Sequence, residues 1–254
     1  MSATITSIYR YPVKGLSPER LESANLAVGE TLTGDRRFAL ALASTRFDGH
    51  TPEWQSKQSF LTLLKHEKLA ALETRYNESS SELTLLRNGK QVAHGKLTDP
   101  IGRAVIEDFF AAYMGHDAMA KPCLVDAGED IALTDQKGKL VSIINLASIR
   151  DLERVAGEKI DPVRFRANIY IDGIEPWSEF NWIGRDIAAA SALLSVCERT
   201  GRCGAVNVNP KTGARDQNLL KALQAGFGHT DMGVFVSVRK GGDINIGDTV
   251  GPAT

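Results

Sequence analysis

Three cysteines in 254 residues, at positions 123, 197 and 203, are too few for a disulfide framework, a CxxC zinc or redox pair, or a four-thiolate iron–sulfur cluster. Long hydrophobic runs are missing too. No segment approaches the roughly 20 apolar residues of a membrane span, and the opening MSATITSIYRYPVKG lacks the apolar stretch of a secretion signal. A soluble, cytoplasmic protein is the expectation. Charge of one sign is also absent: 30 Lys and Arg against 31 Asp and Glu leave −1, which excludes a global field for nucleic acid or an anionic membrane but leaves room for local basic pockets. With no Walker A loop and no GxGxxG, neither ATP nor a Rossmann cofactor is indicated. What the chain does have is a hydrophobic content of 43%, enough to exclude disorder and to fill one large or two modest domains.

The first hundred residues read as short strands. ITSIYRYPV, NLAVG, RRFALALAS, LAALETRYN and SELTLLRNGKQVAHGKL alternate β-formers with Gly, Asn, Asp and Ser punctuation. Asn88-Gly89 supplies the positive φ angles of a tight hairpin, and SFLTLLKH, residues 59–66, reads as a short helix. Asp99 as cap and Pro100 at the first helical position open a helix with an apolar stripe of Ile101, Val105, Ile106, Phe109, Phe110 and Tyr113, stopped at Gly115. Further helices are predicted at NLASIRDLERVAG and QNLLKALQAG. Strands return at ANIYIDG, at the run into Cys197, at GAVNVN and at GVFVSVRKGGDINIGDTV. The class is mainly β with several helices (α+β), divided into residues 1–98 and 99–254, the second part starting with a crossover helix. TRFDGHTPEW, residues 45–54, is a polar loop that either gates a pocket or forms plain surface.

The least ordinary stretch is CERTGRCGAVNVNPKTGARD, residues 197–216. Cys203 stands next to Arg202 and between Gly201 and Gly204, a cation and approachable amides of the kind that surround sulfurs which attack electrophiles or bind soft metals. Read bare, it is equally a small buried residue at a strand end. A cysteine nucleophile needs a histidine base, and His50, His66, His94, His116 and His229 cannot be placed beside it by spacing. Lys14 in YPVKG, Arg36 and Arg37 in GDRRF, and Arg164 and Arg166 in DPVRFRAN are short basic sites at strand starts and loops. Taken singly they are solvated charges; taken together they suit a phosphate-bearing ligand.

YPVKG, GDRRF, NLASIRDL, FRANI, WSEFNWIG, RCGAVNVNPKTG and the closing VRKGGDINIGDTV, in this order, resemble the MOSC family. The resemblance is to members with an N-terminal MOSC β-barrel domain before the MOSC domain, the group that includes the mitochondrial amidoxime-reducing components and their bacterial relatives. It covers nearly the whole chain. It implies an N-terminal β-barrel-like subdomain packed on a β-barrel MOSC domain, and a molybdenum cofactor ligated at its metal by Cys203. The family's anchoring residues fall on Lys14, Gly15, Arg36, Arg166, Asn168 and Arg202, with Asn145 and Ser148 where the family contacts the pterin; Arg37 is a looser match. Gly15 replaces the serine of the mitochondrial members, which leaves only a backbone contact there. Cys197 matches a second, non-ligating cysteine.

The implied activity is reduction of N-hydroxylated small molecules, R–NHOH to R–NH2 and water, with electrons from a separate donor protein, since the sequence carries no flavin, haem or cluster motif. A cofactor or sulfur carrier without turnover, and a metal-free binding module with a structural cysteine, are the alternatives. Trp177 and Trp182 either wall the cofactor site or fill the core.

Overall fold

The computed structural model describes residues 2–42, 45, 53–118, 120–128 and 131–253. The polar 45–54 loop falls outside them except for Thr45, Glu53 and Trp54. In chain order the elements begin β1 (Ala3–Arg10), β2 (Glu19–Leu21), β3 (Ser23–Leu26), β4 (Phe38–Ala41), β5 (Glu73–Asn77), β6 (Glu82–Arg87), β7 (Lys90–Lys96) and α1 (Pro100–Met114). They continue β8 (Cys123–Asp126), β9 (Val141–Asn145), α2 (Leu146–Ala156), β10 (Ile169–Asp172), β11 (Asp186–Ala189) and β12 (Ala192–Gly201). The last are α3 (Leu219–Phe227), β13 (Asp231–Lys240), β14 (Gly242–Asn245) and β15 (Thr249–Pro252).

Seven strands close into a barrel, running β1, β10, β9, β13, β12, β11, β15 and back to β1, so the sheet keeps no open edge in the ring. All neighbours in it are antiparallel except β9 and β10, whose parallel pairing follows from the α2 crossover that joins them. β1, from the start of the chain, thereby completes a ring otherwise built from residues 141–252. β-Branched and leucine side chains fill its interior, among them Ile5, Ile8, Val141, Ile143, Ile171, Leu194, Val196, Val234 and Val236. Trp182 joins this core, whereas Trp177 is half-buried and packs on Phe180, Phe227 and His229.

A second core lies among β4–β8, the β5–β6–β7 sheet and α1, and contains Val13, Leu16, Phe38, Leu61, Leu85, Ile106, Phe110 and Val208. The β6–β7 hairpin turns at Asn88 and Gly89, both left-handed at φ 52° and 73°. α1 starts as its sequence dictates, with the Asp99 carboxylate accepting from the Gly102 amide at 3.1 Å and Pro100 following the cap. Its buried face is Gly102, Ile106, Phe110 and Met114, while Ile101 and Val105 are exposed, so the predicted stripe was broader than the covered one.

Two sequence expectations fail for an identifiable reason. Residues 60–66 form no helix: Leu61 donates to the Leu40 carbonyl and Leu42 to the Ser59 carbonyl, so tertiary pairing with β4 overrides helical spacing. GAVNVN is not a strand either, because Gly204–Asn207 coils into a short 3-10 turn after β12.

Gly95 and Gly102 let α1 lie directly on the β7 backbone, since a Cβ on either would collide with main-chain atoms of the other segment. Gly102→Ala is expected to lower the unfolding free energy by about 1–3 kcal/mol in urea titration. An unchanged midpoint would mean that the crossing is not as tight as described.

Candidate functional site

A cavity of about 280 Å³ opens where the barrel meets the N-terminal core. It is walled by Lys14–Gly15, Arg36, Lys57 with the 62–64 segment, the 134–142 loop and start of β9, the Arg164–Asn168 turn, the end of β12 through Val206, and Phe235 of β13. Eight residues singled out from sequence meet there: Lys14, Gly15, Arg36, Arg164, Arg166, Asn168, Arg202 and Cys203. Among the described residues six cations but one carboxylate, Asp135, line the wall.

Tyr11, fully buried, organises the basic side. The guanidiniums of Arg36 and Arg166 lie 4.2 and 4.3 Å from its ring centroid. Its amide donates to Asp35 at 2.8 Å, and the same carboxylate pairs with Arg36 through its other oxygen. Arg36 also donates to the Arg166 carbonyl at 2.8 Å, tying two left-handed residues at φ 50° and 52° together. Non-glycine residues rarely hold that conformation, and here one sits in the turn before β4 and the other caps the short 3-10 turn that ends at Phe165. Burial pushes the Tyr11 phenol up to about 12 despite the two arginines, which keeps it a neutral platform.

Arg166 and Arg202 have no carboxylate within salt-bridge range among the described residues. Arg166 donates to the Leu16 carbonyl at 2.7 Å; Arg202 donates to the carbonyls of Met232 and Phe165. Both border the cavity yet sit away from bulk water, and this desolvation pulls each down to about 10. Arg164 differs. It pairs with Asp216 at 2.7 Å, leaving its buried Nε–H without a partner. Thr200, on the same wall, has a buried hydroxyl that is likewise unpaired. Guanidiniums that border a cavity without carboxylate partners suit a polar, negatively charged ligand.

Two lysines share Asp135. Lys14 reaches it at 2.7 Å and the Leu133 carbonyl at 2.8 Å, while Lys57 reaches its other oxygen at 3.3 Å. Burial pulls Lys14 below its usual range even against Asp135. Burial alone would raise Asp135, but the two ammoniums outweigh it and hold the carboxyl low. Lys57 and Asp135 lie outside every motif quoted from the sequence, and Thr200 lies inside the 197–216 stretch, where Arg202 and Cys203 drew the attention.

Cys203 is a half-buried free thiol on this wall. No histidine lines the cavity among the described residues, so the base that a cysteine hydrolase needs is not at hand. Cys123 and Cys197 are exposed free thiols outside the lining, and Arg37 turns away to pair with Asp126 at 2.8 Å. Asn168 lines the wall but spends its side chain on structure: it accepts from the Ser142 amide and hydroxyl and donates to the Tyr9 carbonyl, clasping β9 to β1.

Comparison with known families then places the chain. The model of the MOSC N-terminal beta barrel domain matches residues 2–124, and that of the MOSC domain matches residues 128–251. The chain belongs to the MOSC family. A stretch of 75 residues, 29% of the chain, is 33% identical to the Molybdenum cofactor sulfurase of Danio rerio but spans only 9% of that protein's length. Among solved structures, the YUAD protein of Bacillus subtilis aligns over 98% of this chain and 94% of its own at 13% identity and a TM-score of 0.46. YiiM from Geobacillus stearothermophilus aligns over 45% of this chain and 54% of its own at 17% identity and a TM-score of 0.34.

In this MOSC protein Asn145 and Ser148 do not join the cavity. Asn145 caps α2 through the Ala147 amide at 3.0 Å and donates to the Glu175 carbonyl; Ser148 donates to the carboxylate of Glu179 and accepts from the Trp177 amide. Glu179 is fully buried with no cation among its bonds, so desolvation raises it despite the hydrogen bonds from Ser148 and Asn145. A carboxyl raised by folding binds its proton more tightly in the native state. Its contribution to stability therefore falls as pH rises from the unfolded value near 4.5 through the folded one. Glu179→Gln is expected to flatten that decline in pH-dependent urea unfolding; parallel curves for parent and variant would contradict the burial argument.

Proposed function

We propose that this MOSC protein holds a molybdenum pterin cofactor in the 280 Å³ cavity and uses it to reduce N-hydroxylated compounds. The observation behind the reading is the pair of guanidiniums, Arg166 and Arg202, lacking a carboxylate on the same wall as the free thiol of Cys203. The residues fit such a group. No three His, Cys, Asp or Glu side chains converge among the described residues, so a metal at Cys203 needs its remaining donors from the molecule that carries it. A pterin dithiolene is a molecule of that kind, and its phosphate suits charge-assisted arginine donors.

Lys14, Arg36, Arg166 and Arg202 would hold the phosphate and pterin, and Cys203 the metal, as a soft thiolate on a metal centre. Gly15, left-handed at φ 83°, brings the backbone to the wall with no side chain between, and a Cβ there would press on the Leu61 carbonyl. When bound, the cofactor supplies the two-electron couple that takes R–NHOH, two electrons and two protons to R–NH2 and water. A separate protein provides the electrons. The 134–136 loop and Lys57 face the same space.

A second reading, transfer of the cofactor or of sulfur carried as a persulfide on Cys203, draws support from the 75-residue likeness to the Molybdenum cofactor sulfurase. Metal analysis and turnover separate the two. The parent, made in a host that synthesises the cofactor, is expected to carry stoichiometric molybdenum and to reduce an N-hydroxylated amidine with a reduced viologen dye as donor. Cys203→Ala should lose metal by at least about tenfold. Metal without turnover would transfer the weight to the carrier reading; a folded, metal-free parent would sink the reductase and cofactor-transfer readings and leave only sulfur transfer at Cys203.

A further inference from the structure

Lys57 lies in none of the basic motifs, yet it shares the cavity wall with Cys203. Its carboxylate partner is divided. Asp135 gives the nearer oxygen to Lys14 at 2.7 Å and leaves Lys57 a contact of 3.3 Å. The two lysines also differ in access: the Lys14 side chain is 7% exposed and committed to Asp135 and the Leu133 carbonyl, whereas that of Lys57 is 36% exposed. Arg202, the cation beside Cys203 in sequence, has its guanidinium tied to the carbonyls of Met232 and Phe165. Lys57 is therefore a solvent-reaching cation on the wall that holds the thiol, paired with Asp135 only at 3.3 Å.

From this placement we infer that Lys57 is a specificity-determining residue, drawing carboxylate-bearing molecules to the Cys203 end of the cavity. For substrates this rests on the reductase reading, and the favoured class is the N-hydroxylated compound that also bears a carboxylate. A partly desolvated cation at the mouth of a site concentrates anions there through its field and can pair directly with the carboxylate on arrival.

The 254-residue chain, produced in a host that cannot make the cofactor, gives a test independent of turnover. Iodoacetate and iodoacetamide attack the same thiolate, so the ratio of their rates at the Cys203 peptide cancels the thiolate fraction and isolates the local field. Lys57→Gln is expected to lower that ratio about three- to tenfold, with Lys57→Arg retaining it and the ratio at Cys197 unchanged in both. An equal ratio in parent and Lys57→Gln overturns the inference, as does a fall at Cys197 to match. In cofactor-loaded protein, Lys57→Gln should raise KM for a carboxylate-bearing N-hydroxylated substrate several-fold and leave KM for its uncharged ester in place. Equal effects on acid and ester remove the specificity role. If the loaded parent reduces neither compound, the reductase reading fails while the alkylation ratio still decides whether Lys57 directs anions.

Discussion

Arg166 and Arg202 stand half-buried on the cavity wall with carbonyl oxygens, not carboxylates, as their bonded partners among the described residues. Desolvating a charge costs several kcal/mol when no counterion replaces the lost water, and the fall of both guanidiniums to about 10 reflects that strain. The surrounding architecture keeps it in place. The closed barrel fixes the end of β12 and so Arg202; the short turn after Asp161, capped on the Val163 amide, fixes Arg166 in a left-handed conformation. Removing either constraint would free the charge to leave the cavity wall.

The two halves of the chain meet at this wall because each supplies what the other lacks. The C-terminal half provides Thr200 at the end of β12 and Arg202 and Cys203 directly after it, while the N-terminal core delivers Lys14, Lys57 and the 62–64 segment. Arg215 fastens the two, donating to the carbonyls of Gly204, Leu63 and Leu64. The turn-rich NPKTG run folds back so that Arg215 can make those bonds, with Gly213 at φ 76° against the Glu67 carbonyl. Its position next to Cys203 in sequence thus has a structural meaning: it anchors the thiol's loop to the opposite wall.

Local chemistry made much of this legible from the sequence. Asp99-Pro100, Asn88-Gly89 and the Asn145 cap are short-range signals that the backbone obeys, and Lys14, Arg36 and Arg166 share the cavity wall while Arg37 of GDRRF turns away from it. What escaped reading depends on distant parts of the chain. Residues 60–66 keep a helical spacing that pairing with β4 overrides, and Ser148 and Asn145 look like ligands at a helix start but serve a buried carboxylate 31 and 34 residues away. Lys57 and Asp135 meet across 78 residues, a separation at which no pattern in a single sequence betrays contact.

Thermal unfolding of the cofactor-free chain with and without pyrophosphate probes the central claim most directly. If Arg166 and Arg202 await an anion, pyrophosphate raises the midpoint of the parent by linkage. An Arg166→Met, Arg202→Met double variant should then lose the response while starting from an equal or higher midpoint, because the uncompensated charge has gone. A parent indifferent to pyrophosphate, together with a double variant that unfolds much earlier, would show that the two arginines hold the fold together instead of a ligand.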